Sequence, residues 1–560
     1  MEKQVAQHDF LKRELVFLHY NLHRKTRQED VLNLATRLDN VLSLLKQNIQ
    51  QSIQEWKSYL KLYYILMSQT RMEKGERELT YMSILVWYKY FPTLAIRFIH
   101  ELVGEYGIGC WADMPYLCEY VHKNNDENNH HIIDVCITLL NRQLKKDRDN
   151  GSPISNVAKW IPREHKRFHW LYKRLVADWF SIPINDINMS SYRKRYRKIV
   201  SKLSSHLNLT QTKQCSQQYN QIDPETVTKT TFSRQPCLLY TYDTTYQTTR
   251  EPCHTKCIEY SNQKKRTTKD KTFSTPLPSY GIYEKTKTDV AAIIKEAFVL
   301  LHTQRQDQDE NYQIRKTIIN KRWKRIQKPF TKQNQSSQKC VIPLLDVSYS
   351  MQTYDAIPYY TAIGLAILIS QLNSNGKRIL TIDNIPCWIN LENTHTLMEQ
   401  IECIEFNIKS YSATTSDICN SIDVIAYSMQ HMADPDEQNI QLVVLSDFES
   451  CVSKQVFSFD DEETYYYTKI ENRFNIKYTE NEIQSKNVPQ IVFWNLANRG
   501  IIELPAPFYT PTTQVLSGYS IESIKHLNGF SNFVDSYEGV IHILSGAKYN
   551  RFDKYIEYIV

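Results

Sequence analysis

Glycine is scarce, at 13 of 560 residues, and no glycine-rich loop of the Walker type occurs. G-x-S-x-G and H-E-x-x-H are absent as well. The sixteen histidines form no recognisable acid/base pair with a nucleophile, so the chain reads as a non-enzyme. Long apolar runs are missing too. The longest, Ile357–Leu372 (IPYYTAIGLAILISQL), is shorter than a membrane span and is interrupted by Gly364. It reads as a buried helix. The opening MEKQVAQHDFLKREL holds no apolar core of signal-peptide length, so the expectation is no secretion and a cytoplasmic location. Twelve cysteines spread through a large chain of this kind argue for reduced thiols rather than a disulfide framework.

What is present is a charge imbalance. Residues 341–560 carry 13 basic and 27 acidic side chains, against 55 and 34 in residues 1–340. The mild overall charge of +7 therefore hides a basic N-terminal part joined to an acidic C-terminal part. Such a division points to a polyanion partner for the first part, or to docking of one part on the other.

The pattern along the chain divides similarly. Residues 1–204 lack strand alternation and show helical spacing; Leu79, Met82, Leu85, Val86 and Tyr90 predict one buried helical face. Pro92 ends that helix. No clean repeat period emerges. Residues 205–290 are rich in Thr, Gln, Ser, Lys and Tyr and read as a polar, irregular insertion. A helix returns after Thr288, and Arg315–Lys339 reads as a basic linker to residues 340–560. There, apolar strands (CVIPLL, residues 378–381, QLVVLSD, PQIVFWNL) alternate with helices at Pro358–Leu372 and Ile422–Met432. The fold class is multidomain: a helical N-terminal domain, then an α/β domain with a mainly parallel sheet covered on both faces.

Ligands of such sheets bind at the carboxyl ends of strands. At one such end stands LLDVSYSMQ, which places Asp346, Ser348 and Ser350 at alternate positions just after an apolar strand. One carboxylate and two hydroxyls suit a hard cation such as Mg²⁺, Mn²⁺ or Ca²⁺. Thr414-Thr-Ser-Asp417 precedes a helix and Asp447 ends the QLVVLSD strand, so three loops of one sheet edge supply oxygens. By itself D-x-S-x-S is equally a loop or helix-cap pattern; its strand context favours the cation.

The order D-V-S-x-S-M, I-G-L-A-I-L-I-S, T-S-D-I, L-S-D, I-V-F-W-N-L and L-S-G-Y-S resembles the von Willebrand factor A domain of a family of uncharacterised proteins of large DNA viruses and plants. Lys74-Gly-Glu-Arg77, Glu105-Tyr-Gly107 with Trp111-Ala-Asp113, Ala158-Lys-Trp-Ile-Pro162 and Tyr192–Lys198 are similar to that family's N-terminal region. The resemblance implies a metal-ion-dependent adhesion site at Asp346, Ser348, Ser350, Ser416 and Asp447, with a protein partner bound through Mg²⁺. Tyr349 departs from the usual glycine, and its bulk bears on access to the site. The layout of helical part and A domain is also similar to the Ro autoantigen (TROVE) proteins, which implies RNA on the helices.

Residue types support that implication in WIPREHKRFHWLYKR and SYRKRYRK, where Arg163, Lys166, Arg167, Lys173, Arg174, Arg193, Lys194, Arg195, Arg197 and Lys198 alternate with aromatic residues. Cations neutralise phosphates and aromatic faces stack on unpaired bases. A solvated helix face reads the same way. The alternative function is a virion or packaging protein acting through protein interfaces, and the Ile, Asn, Lys and Tyr enrichment fits an AT-rich viral genome. Cys237, Cys253 and Cys257 are weak zinc candidates, since no second well-spaced pair follows. Lys74-Gly-Glu-Arg77 reads as a charged corner between helices, and Lys264-Lys-Arg and Lys321–Arg325 as basic runs of nuclear-targeting type.

Overall fold

The computed structural model describes residues 2–48, 53–104, 107–125, 130–150, 154–207, 290–302, 310–331, 340–353, 355–372, 376–410, 418–430, 440–449, 466–479, 489–527 and 534–557, with a few positions between 209 and 216. The contacts define two compact units, residues 80–282 and residues 1–79 with 283–560. The composition change near residue 205 and the contact boundary at 79/80 therefore fall at different places.

The second of these units is built on a six-stranded sheet. Its strands are β1 (Cys340–Asp346), β2 (Arg378–Ile382), β3 (Trp388–Asn390), β4 (Ile440–Ser446), β5 (Gln490–Asn495) and β6 (Thr513–Ser517), in the order β3-β2-β1-β4-β5-β6. Only β3 runs antiparallel; the other pairings are parallel. The central strands β1 and β4 are buried along their whole length, which is why they read as continuous apolar runs without alternation.

The apolar run at 357–372 is the helix Ile357–Ser370, buried from Thr361 to Ser370. It is apolar on every side because it has protein on every side: the helix Val290–His302 packs on it, and β1, β2 and β4 lie beneath. Gly364 marks the closest approach, since a Cβ there would stand 2.0 Å from Val290 Cγ1. Among the described residues no helix is long and apolar enough to cross a membrane. The stretch read as a basic linker is, over Glu310–Thr331, a helix, and its Ile319, Trp323, Ile326 and Phe330 enter the sheet unit's core. Their spacing is helical, but the surrounding lysines and arginines masked it.

Residues 1–79 belong to the sheet unit through packing of their helices on β6 and the C-terminal helices and through a set of polar ties. The helices are α1 (Glu2–Asn21), α2 (Gln28–Asn48) and α3 (Ile53–Met72). Asn21 pairs with the backbone of Ile502 like a strand residue, accepting from its N–H at 3.0 Å and donating to its carbonyl at 2.9 Å. Asn495 at the end of β5 donates to Tyr20 O, Thr26 N–H donates to Asn498 O, and Gly500 N–H donates to Asp30. These ties satisfy backbone groups beyond β5 that would otherwise be buried and unpaired.

The helical unit holds α4 (Arg77–Tyr90) from Thr80 onward, α5 (Pro92–Leu102), α6 (Asp113–Asn125), α7 (His131–Asn150), α8 (Val157–Trp160), α9 (His169–Phe180) and α10 (Met189–His206). Pro92 opens α5 at its first turn, where no N–H is needed. The buried apolar positions of α4 are Leu79, Tyr81, Met82, Ile84 and Trp87, whereas Leu85, Val86 and Tyr90 are half-buried. That corrects the face inferred from spacing: nine of the fourteen positions of this helix are apolar, so the spacing alone did not single out one stripe. Most of the polar insertion, including Cys237, Cys253, Cys257 and Lys264-Lys-Arg, lies outside the described residues.

Candidate metal centre and basic face

Asp346 closes β1 and Asp447 follows β4, its neighbour in the sheet, so the parallel register alone brings two carboxylates to one edge. The loop after β1 then folds back. Ser348 N–H donates to Asp346 Oδ1 at 2.9 Å, the Ser348 and Ser350 hydroxyls are 3.0 Å apart, and Ser350 Oγ donates to Asp447 Oδ1 at 3.1 Å. Ser350 is already on the short helix Tyr349–Gln352, whose first turn sets the hydroxyl beside the strand end. Of the five residues inferred for the cation, the structure brings four together: Asp346, Ser348, Ser350 and Asp447. Ser416, with Thr414–Asp417, lies outside the described residues.

The electrostatics follow from that packing. Asp346 is buried at 5% exposure. Burial and then the charge of Asp346 push the Asp447 carboxyl up to about 7, against the lowering pull of its hydrogen bond from Ser350. Two carboxylates held side by side with hydroxyls between them are an environment short of positive charge. Asp346, Ser348, Ser350 and Asp447 thus fit a hard divalent cation; when bound it would supply a Lewis-acidic position with room for an outside oxygen. Among the described residues no three His, Cys, Asp or Glu side chains converge as a metal cluster, so hydroxyls would complete the donor set.

Two further residues hold the site and were not singled out from sequence. Ser446 Oγ donates to Asp346 Oδ2 at 2.5 Å and accepts from Phe448 N–H at 2.9 Å, clamping both loops to β4. Phe448 itself takes a left-handed φ of +48°, a costly conformation for a bulky side chain. Its ring is held against Phe493 and Tyr466, and this turn aims Asp447 back over the strand end. A serine immediately before the strand-end aspartate was the available signal. Tyr349 is 74% exposed, so its ring stands in solvent rather than packed over the carboxylates.

The same sheet edge carries a second polar cluster. Lys74 is 2% exposed, and its ammonium donates to the carbonyl of His19 and, at 2.9 Å, to Ser517 Oγ at the end of β6. Burial pulls its pKa down to about 7. The Lys-Gly-Glu-Arg stretch is thus a helix corner, as its composition suggested, but its lysine is a buried tie to the sheet rather than a surface charge. Glu73, also buried, meets Lys525, His526 and Lys548.

In the helical unit the basic residues fall on α9, α10 and the turn before α9. Arg163, Lys166, Arg167, Lys173, Lys194, Arg195, Arg197 and Lys198 are exposed, while Arg174 and Arg193 are half-buried. Several are held in place: Arg193 and Arg197 share Glu164, Arg167 lies 3.7 Å from Glu119, and Arg174 pairs with Asp134. The aromatic interleaving is corrected by the structure. Tyr172 and Tyr196 are core residues at 3% and 0% exposure, packed edge to face, and offer no ring to a base. Trp170 stacks on His122 at 4.6 Å, and Phe168 packs on Tyr116.

The comparisons with known proteins bear on both parts. Residues 340–542 match the model of a domain of unknown function, DUF7788. No solved structure matches the chain. Among curated proteins, an uncharacterized protein of Acanthamoeba polyphaga mimivirus is 24% identical over 514 residues, covering 87% of this chain and 78% of that one, so the chain is similar to a large-DNA-virus protein through most of its length.

Proposed function

We propose that the chain is a non-enzymatic binding protein whose sheet domain is of the von Willebrand factor A type and engages a protein partner through a divalent cation. The observation that carries this reading is the convergence of Asp346, Ser348, Ser350 and Asp447 at one strand-end edge. An edge of that kind offers a cation with an open position, to be completed by a carboxylate from outside. The test is titration of Mg²⁺ and Mn²⁺ into the full chain by calorimetry, beside Asp346→Ala and Ser350→Ala. Saturable binding by the parent and none by the variants supports the reading; equal behaviour refutes it.

RNA on the helical unit is the second part of the proposal, in a division of labour like that of the Ro proteins. Its support is the set of exposed cations on α9 and α10 and the excess of basic residues in residues 1–340. Gel-shift binding across a salt series tests it. Affinity should fall steeply with salt and weaken when Arg193, Arg195 and Arg197 are neutralised together. No binding at low salt sinks it. A virion or packaging role is the alternative, favoured by the similarity to a mimivirus protein; stable co-purification with particles through large apolar interfaces would support it.

A further inference from the structure

The helical unit contains an open pocket of about 350 Å³ between α7 and α9, bordered by Ser181, Ile182 and Ile184 of the connection after α9. Its size falls at the lower end of the range of roughly 300–1,000 Å³ for small-molecule sites. One side is apolar: Ile137 on α7, with Ile182 and Ile184 on the loop. The chain leaves α9 through Ser181 in a left-handed conformation, φ +54°, and Ile182 and Ile184 follow at the pocket's border. Ile184 is 46% exposed and Ile187, just beyond, 99% exposed, an unusual display of isoleucine on a connection otherwise made of Asn, Asp, Pro and Ser.

The other side is polar and held in position. Asp178 Oδ2 accepts from Asn141 Nδ2 at 2.8 Å. Asn141 is 1% exposed and is fixed in turn, donating to Leu175 O at 2.9 Å and accepting from the buried Tyr196 hydroxyl at 2.8 Å. A buried asparagine and tyrosine therefore orient a carboxylate at the cavity wall. Arg174 and the Asp134 carboxylate that pairs with it line the pocket as well.

We propose that this cavity seats an unpaired guanine of single-stranded RNA. The inference rests on the RNA reading above and names what that surface would select. Recognition of single-stranded RNA works through splayed bases read on their edges. Among the four RNA bases only guanine presents two adjacent donors, N1–H and N2–H, on its pairing edge. A single oriented carboxylate accepts both. Its O6 and N7 are acceptors, the pattern that arginine reads. Adenine and cytosine set a donor beside an acceptor, and uracil sets its one donor between two acceptors, so each would leave a carboxylate oxygen facing an acceptor. The flat base would lie against the isoleucine side, since Tyr172 and Tyr196 are spent in the core. Arg174 joins the cavity to α9, whose exposed Lys173 and the neighbouring α10 cations would take the phosphates.

The test is fluorescence anisotropy on the full chain at low salt, using uridine oligonucleotides that carry one central guanosine, inosine or adenosine. Guanosine should bind on the order of tenfold more tightly than adenosine, with inosine, which lacks the N2 amino group, in between. Asp178→Asn should bring the guanosine and adenosine oligomers to equal affinity. If the parent binds all three alike, the guanine seat is refuted while the RNA reading stands. A guanosine preference that survives Asp178→Asn refutes it too. If none binds, both readings fall.

Discussion

Asp447→Asn should make the metal-free protein more stable, and by an amount that depends on pH. In the folded chain burial and Asp346 raise the Asp447 carboxyl from 3.8 to about 7. A raised carboxyl holds a proton that the unfolded chain has released, so between about pH 4 and pH 7 the folded state binds more protons and loses stability as pH rises. Above pH 7 the whole cost is present. A shift of about three units at about 1.4 kcal/mol each puts it near 4 kcal/mol as an upper bound. Asparagine keeps an oxygen to accept from Ser350 and Glu449 N–H and carries no charge, so it escapes the penalty. For a unit of this size that corresponds to about 5 °C in Tm. The measurement is thermal unfolding of parent and variant in a chelator at pH 4.5 and pH 8. About a quarter of the gap should be present at the lower pH and all of it at the higher, with added Mg²⁺ raising the parent and leaving the variant where it was. A gap of the same size at both pH values, or a less stable variant at pH 8, would refute the carboxylate-pair account.

Gly364→Ala should destabilise the sheet unit by about 1–3 kcal/mol, because its Cβ would run into Val290 Cγ1, and Val290→Ala in the same chain should recover part of the loss; a double-mutant cycle by chemical denaturation reads the coupling. Asn21→Ala removes a donor and an acceptor from the buried backbone of Ile502 and should cost about 2–3 kcal/mol, measured the same way. Lys74 has a folded pKa near 7 and an unfolded value near 10.5, so the unfolded chain binds the extra proton across that window and parent stability rises with pH through it. Lys74→Met should flatten that rise in a Tm series between pH 7 and pH 10.

The mainly parallel sheet and the strand-end clustering of Asp346, Ser348, Ser350 and Asp447 were legible because both are written in local pattern. Fully buried strands such as β1 and β4 are short unbroken apolar runs, and an oxygen ladder directly after one is hard to place anywhere but a strand end. What stayed hidden depended on partners distant in sequence. Residues 315–331 looked like part of a linker because their four core residues are diluted by basic side chains, most of which remain in solvent. Tyr172 and Tyr196 looked like faces for bases because cations flank them, yet they point inward. Ser446 was invisible as a clamp until Asp346, 100 residues earlier in the chain, came within reach of its hydroxyl.

The sequence by itself determined most of the element types, the mainly parallel sheet, the place of Asp346, Ser348, Ser350 and Asp447 at strand ends, and the division of charge. These rest on periodicity, apolar run length and residue chemistry, which need no knowledge of what lies across the fold. The tertiary structure alone decided that residues 1–79 belong with the sheet, that Lys74 is buried against β6, and that Asp178 is oriented over an isoleucine-lined cavity. Each of these is a meeting of groups far apart in the chain, and burial and hydrogen-bond satisfaction are properties of the packed neighbourhood rather than of any local stretch.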